Sequence, residues 1–421
     1  MVNSMNQKDS WLRLDNAGKV FPATSGKHDT GVFRFACTLT EPISESGLQQ
    51  ALDRTLEKFP HFLYVLCGGL FWYYLEPGEL KPICHAENTG ICSQLFYRNK
   101  RSLLFDISYH GCRINMDIYH ALADGTGAMH FFRYLICRYL SIIHPDTFED
   151  ELAEEISFAP ASVRTEDSFS KYYKHVKKEK NSLPKRVYHL KGHPGHGYTV
   201  VEGLMSCKKI HALAKEKGVT ITEFLCSLVI MAIRHEMPVR ERTKPIVINL
   251  PVNLRNYFES DTARNFFGNV HISYTFGKDE DKPENIAEAL HLSLQKELNR
   301  DNLMKNISGY VSMERNPFIK IVPLTVKNFF IRIARHIASS KETIVISNVG
   351  IVKMPPETQK FIRHMSVLSS TSKTQICICT CGDTLSVGFS SRFEDTDIQR
   401  NFFRFLTDMG VDVQIESNLT E

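Results

Sequence analysis

The segment MDIYHALADGTGAMHFF contains a histidine, an aspartate and two glycines within eight residues. His120 precedes Asp124 by four residues, and Gly125 and Gly127 come directly after the aspartate. Because an imidazole ordinarily titrates at a pKa of about 6.5, His120 suits a base that works near neutral pH. Aspartate is also common at the cap of a helix. Two interpretations follow: an acid–base site around His120, or a strand-end histidine without a task beside an aspartate that only caps the next helix.

A strand, a turn and a helix must place these residues in that order. Residues 103–120 predict a β-hairpin that turns near Gly111 and whose returning strand ends at His120. Apolar residues at helical spacing, beginning with Met129, predict a helix over residues 125–142. The motif therefore occupies the turn between a strand and a helix.

The remaining segments mix strands and helices without a regular βαβ alternation, so the sequence predicts an α+β fold with mixed sheets. The other predicted helices are 44–59 with Ser46 in a capping box, one led by Thr222 as N-cap, 284–300, 325–338 and 396–409. The other predicted strands are 31–39, a hairpin over 61–75 with a two-residue turn at Gly68 and Gly69, 197–205, 245–250, 269–276, 342–349 and a hairpin over 374–393.

The composition is typical of a soluble globular protein with two hydrophobic cores. The 421 residues include 51 basic and 47 acidic side chains, so we expect no strong field that attracts nucleic acid or anionic lipid. The eleven cysteines show no tight motif spacing and no secretory signal leads the chain, which favours reduced thiols in the cytoplasm. The longest apolar stretch, within residues 223–234, is shorter than the roughly 20 residues of a membrane span and predicts a buried helix.

Two histidine or cysteine clusters invite a metal interpretation, which the sequence does not favour. Alternate residues on a strand lie roughly 6.6 Å apart, which is too far for three thiolates to bind one zinc ion. The three cysteines of CICTC are therefore predicted to line one face of a sheet: Cys377, Cys379 and Cys381. The second cluster lies among glycine and proline and has no cysteine or carboxylate to complete a zinc site: His189, His193 and His196. We expect no metal.

The stretch His120-Ala-Leu-Ala-Asp124-Gly125 resembles the H-x-x-x-D-G signature of the chloramphenicol acetyltransferase-like superfamily. That superfamily includes condensation domains, plant acyltransferases, wax ester synthases and alcohol acetyltransferases. Three further segments resemble its arginine-bearing strand and loop, its glycine–asparagine segment and its buried helix: INLPVNLR (248–255), NFFGNV (265–270) and VTITEFLCSLVIMAI (219–233). The opening WLRLDNAGKVFPA and the SNVG at 347–350 are similar to bacterial alcohol acetyltransferase-like proteins.

The resemblance implies two chloramphenicol acetyltransferase-like subdomains of mixed sheet backed by helices, with a tunnel between them. Residues 1–165 would form the N-terminal subdomain with the motif, 166–200 a crossover, and 201–421 the C-terminal subdomain. Acyl donor and acceptor would approach from opposite ends of the tunnel.

The resemblance also implies an activity and a role for each site residue. An acyl group would pass from a coenzyme A or phosphopantetheine thioester to an alcohol or amine, with His120 as general base and without an acyl-enzyme, a metal or a bound cofactor. Asp124 would pair with Arg255 and hold the turn, and Gly125 would leave room for substrate. Three residues would line the tunnel or stabilise the oxyanion: Asn269, Ser347 and Asn348.

Two other functions stay open on the sequence alone. One is a free-standing condensation enzyme that joins carrier-bound groups and binds an acyl carrier protein. Many condensation domains have two consecutive histidines, whereas Tyr119 precedes His120 here, which weakens peptide synthesis more than acyl transfer. The other is a non-catalytic scaffold of the same fold, against which the intact His120, Asp124 and Gly125 argue.

Overall fold

The computed structural model describes residues 11–148, 167–174, 184, 186–277 and 281–419, apart from the side chains of residues 310, 313 and 314. The strands are β1 (Leu12–Arg13), β2 (Val32–Leu39), β3 (Tyr64–Gly68), β4 (Tyr73–Pro77), β5 (His85–Ala86), β6 (Phe105–His110), β7 (Arg113–Tyr119), β8 (Pro194–Ser206), β9 (Ile246–Asn253), β10 (Phe267–Tyr274), β11 (Ile344–Val352), β12 (Ile362–Ser369), β13 (Thr374–Cys381), β14 (Thr384–Phe393) and β15 (Gln414–Ser417). The α-helices are α1 (Val20–Thr24), α2 (Glu45–Lys58), α3 (Gly125–Ile143), α4 (Ser168–Lys171), α5 (Cys207–Glu216), α6 (Ile221–Glu236), α7 (Pro283–Glu297), α8 (Arg300–Arg315), α9 (Pro317–Lys320), α10 (Leu324–Ser339) and α11 (Asp397–Asp408).

The first half of the chain supplies four of the five strands of a sheet in the order β12-β2-β7-β6-β5. Helices α2 and α3 pack together, and their apolar faces join the sheet in one buried cluster that includes Leu52, Phe132 and Ile118. Helix α3 is buried along most of its length because apolar residues lie on most of its sides. This core fixes the end of β7 and the start of α3 relative to each other.

The second half builds a seven-stranded sheet in the order β10-β9-β11-β13-β14-β8-β15. Strand β11 runs parallel to β9 and β13, whereas the other neighbours are antiparallel, so the sheet is mixed. A second buried cluster gathers α6, α7 and α11 against this sheet, with Phe224, Leu290 and Phe402 among its members. The predicted α+β class with mixed sheets is confirmed. A small third sheet has the order β1-β4-β3, and its strands pair with no strand of the other two sheets among the described residues.

Strand β12 connects the two halves. It comes late in the chain, yet it pairs antiparallel with β2, for example Met365 opposite Cys37, and it packs against β13 and β14 of the other sheet. Strand β12 was not predicted, because both of its faces are covered and its residues do not alternate between apolar and polar. Helix α8 was not predicted either, because its apolar stripe is weak. The division at residues 166–200 stays a prediction.

Several predicted turns and caps can be compared with the structure. The hairpins at Gly111 and Gly382 are confirmed, and both glycines have a positive φ, of 56° and 59°. The predicted two-residue turn at Gly68 and Gly69 is wrong, because β3 and β4 are joined by four residues. The predicted N-caps are each two residues late: the Ser44 hydroxyl accepts from the backbone of Gly47 in α2, and Thr220 forms a capping box with Glu223 in α6. Within the described part of the chain, every helix is too short or too polar to cross a membrane.

Candidate active site

A cavity of about 140 Å³ lies between the two halves of the molecule, and the motif forms part of its wall. The first half contributes its aromatic strand β2 and the turn from β7 to α3: Phe33, Phe35, His120, Asp124, Gly125 and Thr126. The second half contributes residues of β9 to β13: Pro251, Val252, Asn253, Phe267, Ser347, Asn348, Val349, Val367, Ser369, Gln375 and Cys377. The cavity therefore has one wall from each half.

Three aromatic rings hold the imidazole of His120. The ring stacks on Phe21 with centroids 4.5 Å apart and planes 2° apart, and Phe33 and Phe267 lie at 4.6 and 5.7 Å. The backbone N–H of His120 donates to the carbonyl of Gly31 at 2.9 Å, which continues the β2–β7 pairing by one residue. The ring therefore has little rotational freedom at the end of the strand.

Asn265 determines which ring nitrogen of His120 carries the proton. The Nδ2 of Asn265 donates to two groups that only accept, the carbonyl of His120 at 3.0 Å and a carboxylate oxygen of Asp15 at 3.1 Å. Its Oδ1 must then face the Nδ1 of His120, which lies 3.3 Å away. Because an amide oxygen only accepts, Nδ1 carries the hydrogen and Nε2 keeps its lone pair. Among the described residues, Nε2 has no hydrogen-bond partner.

The surroundings also favour the neutral imidazole. Burial lowers the pKa of His120 below its ordinary value, since a cation loses its hydration among the aromatic rings. The charge of Asp124 and the hydrogen bond to Asn265 oppose this shift without reversing it. At neutral pH the ring is therefore unprotonated at Nε2, the form that can accept a proton.

Asp124 both caps α3 and joins the two halves of the molecule. Its Oδ1 accepts from the backbone N–H groups of Thr126 and Gly127 at 3.1 and 3.0 Å, as an N-cap does. Its Oδ2 accepts from Arg255 Nη1 at 2.8 Å and from the backbone of Phe266 at 2.9 Å. The capping interpretation is thus correct but incomplete, because the same carboxylate also forms a buried ion pair with the second half.

The guanidinium of Arg255 uses its remaining donors on the loop that follows β9. Nη2 donates to the carbonyls of Thr262 and Arg264 at 2.8 and 2.7 Å, and Nη1 donates to the side chain of Asn253 at 3.2 Å. The side chain is 11% exposed and that of Asp124 is 5% exposed. This network shapes the loop of residues 262–266, which carries Asn265 to the imidazole.

A second buried carboxylate, Asp15, supports the same loop from the N-terminal segment. Its Oδ2 accepts from Asn265, its Oδ1 accepts from the backbone of Gly18 at 2.6 Å, and Arg264 Nε lies 3.7 Å away. Burial raises the pKa of Asp15 despite the nearby arginine. Sequence reasoning missed both Asp15 and Asn265. The one available signal was an aspartate within the apolar opening segment that resembled the superfamily.

The two glycines of the motif have different surroundings. A Cβ on Gly125 would meet no atom within 4 Å, so the residue borders open space at the cavity wall. A Cβ on Gly127 would lie 1.8 Å from the carbonyl oxygen of Ala263. Gly127 therefore lets the start of α3 approach the loop of the second half, which brings Asp124 within reach of Arg255.

The three residues predicted to line the tunnel lie in different positions. Ser347 and Asn348 border the cavity on β11, and Asn348 Nδ2 donates to the hydroxyl of Thr222 at 2.8 Å. Asn269 is half-buried on β10 opposite Pro251, and it is not one of the residues that border the cavity. Asn269 is therefore not among the residues placed to contact a substrate in this cavity.

The cysteines of CICTC lie along β13 and pack into the core of the first half. Of the three histidines on the glycine-rich segment, His193 pairs with Asp395, with 3.1 Å between Nδ1 and Oδ1. In the described residues, one group brings three potential ligand atoms within 4.8 Å of one another, and it consists of Glu202, His364 and Glu416. None of these three residues borders the cavity.

Solved structures of the same fold cover nearly the whole chain. TRI3, a trichothecene 15-O-acetyltransferase from Fusarium sporotrichioides, aligns at a TM-score of 0.61 and 11% identity over 97% of this chain and 96% of its own. TRI101 from F. sporotrichioides, solved with coenzyme A and T-2, aligns at 0.62 and 13% over 96% and 99%. The first condensation domain of the calcium-dependent antibiotic synthetase, solved with a substrate analogue, aligns at 0.61 and 13% over 98% and 100%. No family model and no curated protein matches the sequence.

These alignments include both halves of the chain and almost the full length of each neighbour. The common architecture is therefore the pair of subdomains and not a single shared sheet. The fold predicted from the H-x-x-x-D-G motif is confirmed: the chain has the two-subdomain fold of the chloramphenicol acetyltransferase-like proteins and condensation domains.

Proposed function

We propose that the protein is an acyltransferase that moves an acyl group from a coenzyme A thioester to an alcohol or an amine. The observation that carries this proposal is the imidazole of His120, which borders the cavity between the halves, with Nδ1–H fixed by Asn265 and with no partner for Nε2 in the part of the chain that the structure describes. Neighbours of the same fold that were solved with coenzyme A support the choice of donor.

The reaction needs one proton to move twice. Nε2 of His120 takes the proton of the acceptor's hydroxyl or amine as its oxygen or nitrogen attacks the thioester carbon. The tetrahedral intermediate then collapses, the carbon–sulfur bond breaks, and the thiolate leaves with the proton that the imidazolium returns. The products are an ester or amide and free thiol, so no acyl-enzyme forms. A positioned base contributes roughly 10² to 10⁴ in rate.

The remaining site residues position the base and leave room for the reactants. Asp124 and Arg255 act through the loop that carries Asn265, since that network fixes the loop against the start of α3. Gly125 keeps the cavity open beside the imidazole. Ser347 and one remaining N–H of Asn348 are the donors that we assign to the oxyanion, because both residues border the cavity.

A panel of acyl thioesters with mixed alcohols and amines tests the proposal, with released thiol as the readout. The wild-type protein should release thiol only with an acceptor present, and His120→Ala should lose at least about 100-fold of that rate while it keeps its unfolding midpoint. His85→Ala is the matched control, because the ring of His85 is likewise hydrogen-bonded to a side chain, that of Asp106, but lies outside the cavity. Thiol release that is equal in wild type and His120→Ala contradicts the proposal.

A carrier-protein donor is the second candidate, because a condensation domain aligns with this chain as well as the acetyltransferase does. Two experiments separate the carrier-protein donor from coenzyme A. A phosphopantetheinylated carrier protein would bind in a pull-down, and it would replace coenzyme A as the donor in the thiol-release assay. A protein that releases no thiol from either donor would be a scaffold of this fold.

We propose that the protein works in the cytoplasm.

A further inference from the structure

Helix α10 presents its apolar stripe to the outside of the molecule. Its large apolar residues recur at i, i+3, i+4, i+7 and i+11, which places them on one face: Val326, Phe329, Phe330, Ile333 and Ile337. These side chains are between 42% and 61% exposed. The opposite face packs on the protein in the first half of the helix, where the amide of Asn328 donates to the hydroxyl of Tyr73 at 2.9 Å, whereas residues 332–338 are all exposed. An amphipathic helix of a globular protein ordinarily has the reverse orientation.

Exposed apolar side chains continue beyond the helix. Phe318 and Ile321, just before α10, are 77% and 70% exposed. The loop between β3 and β4 carries Leu70 and Trp72, which are 73% and 45% exposed. That loop lies directly against α10, because the backbone N–H of Leu324 donates to the carbonyl of Leu70 at 2.9 Å. A contiguous exposed apolar surface of this kind marks an interaction site.

The charge on the helical part of this surface has one sign, whereas Trp72 of the loop borders a groove that also holds Glu76 and Glu79. No aspartate or glutamate occurs from residue 316 to residue 341, whereas this segment holds five lysines and arginines: Lys320, Lys327, Arg332, Arg335 and Lys341. By helical spacing, Lys327 and Arg332 lie on either side of the apolar stripe, and each also donates within the protein: Lys327 Nζ to the carbonyl of Phe71 at 2.8 Å and Arg332 Nε to that of Ala23 at 2.7 Å. The near-neutral composition of the whole chain conceals this local excess.

We propose that α9 and α10 form an interfacial surface that binds an anionic lipid membrane. Large apolar side chains on one face, with lysine and arginine beside them and tryptophan nearby, are the features of helices that lie in the plane of a membrane. The phenylalanines and isoleucines would enter the acyl boundary while the cations meet lipid phosphates. A second copy of the chain is a poor occupant, because its cations would face the same cations.

The surface lies one helix away from the candidate active site. Arg332 Nε donates to the carbonyl of Ala23 at 2.7 Å, so α10 packs on α1. Phe21 of the same short helix stacks on His120. A membrane bound at α10 would therefore lie on the side of the molecule where α1 covers the imidazole. The membrane proposal does not depend on the proposed chemistry, because it is argued from surface residues alone.

Vesicle co-sedimentation of the full chain tests the proposal. The probes are vesicles of phosphatidylcholine alone and vesicles of phosphatidylcholine mixed with phosphatidylglycerol, whose anionic headgroups give the surface a negative potential. The wild-type protein should sediment with the anionic vesicles, at least tenfold less with the neutral ones, and less as salt is added. A triple variant, Phe329→Ser, Phe330→Ser and Ile333→Ser, should bind the anionic vesicles at least tenfold more weakly with an unchanged unfolding midpoint.

A matched control removes three exposed apolar side chains elsewhere: Ile83→Ser, Leu292→Ser and Ile415→Ser, which are 71%, 62% and 49% exposed in the wild type. This control variant should sediment as the wild type does. Absence of wild-type binding to anionic vesicles overturns the proposal, and this result would mean that another protein or another segment of the chain covers the face. Equal binding to neutral and anionic vesicles, or equal binding of the α10 variant and the control, overturns it as well.

Discussion

The carboxylate of Asp124 supports the molecule in two ways, so its replacement by alanine should cost more than an ordinary helix cap. Loss of an N-cap destabilises a protein by about 1 kcal/mol. Removal of one partner from a buried ion pair costs about 3–5 kcal/mol, because the other charge stays buried. Arg255 keeps the carbonyls of Thr262 and Arg264 as acceptors, which limits that second cost. We expect Asp124→Ala to lower the free energy of unfolding by about 3–5 kcal/mol in total.

Urea unfolding, followed by circular dichroism, measures this loss, and Ser44→Ala is the matched control. Ser44 caps α2 through the backbone N–H of Gly47 and makes no ion pair, so its replacement should cost only about 1 kcal/mol. The difference between the two variants isolates the contact between the halves. If Asp124→Ala destabilises the protein no more than Ser44→Ala does, the pair with Arg255 does not hold the halves together and the reasoning fails.

Three further predictions concern single side chains. Burial raises the pKa of Glu202 from 4.5 to about 7, so the protonated carboxyl stabilises the folded protein below pH 4.5 and this stabilisation is lost as the pH rises through 7. Glu202→Gln should therefore be more stable than wild type at pH 8, by up to about 3 kcal/mol, and as stable as wild type at pH 4. Thermal unfolding at the two pH values measures this difference. Gly127→Ala should lower the free energy of unfolding by at least about 2 kcal/mol, because a Cβ at this position would meet the backbone of Ala263. Gly125→Ala should change the free energy of unfolding by no more than about 0.5 kcal/mol and should lower only turnover, because a Cβ there meets no atom. Urea unfolding of both variants measures the difference. Asn265→Ala should lower kcat by roughly 10²-fold with a smaller change in KM, since it frees the imidazole of His120 from its orientation; an unchanged kcat would contradict the assigned hydrogen bond.

The residues of the motif were predictable because their signals are local. The hairpin that ends at His120 and the helix that begins at Gly125 are visible as two adjacent periodicities. Arg255 was reached only through the resemblance, since a loop arginine has no pattern of its own. The structure then pairs it with Asp124.

Long-range contacts account for most of what the sequence concealed. Asn265 lies 145 residues from His120 and 250 residues from Asp15, and neither contact leaves a trace in local spacing. The periodicity of residues 325–338 correctly indicated a helix, but a periodic stripe does not reveal whether it faces the core or the solvent. The strand β12 lacks alternation because its successive residues 364–368 are all buried, the polar His364 and Ser366 included.

The pH dependence of kcat/KM tests most directly whether a neutral imidazole accepts the proton. Burial lowers the pKa of His120, so activity should fall only on the acid side, with a midpoint below the ordinary value of about 6.5, and should be level from pH 7 to 8. The small residual rate of His120→Ala should lack this acid limb. A midpoint above 6.5, or the same acid limb in His120→Ala, would show that another group carries the proton.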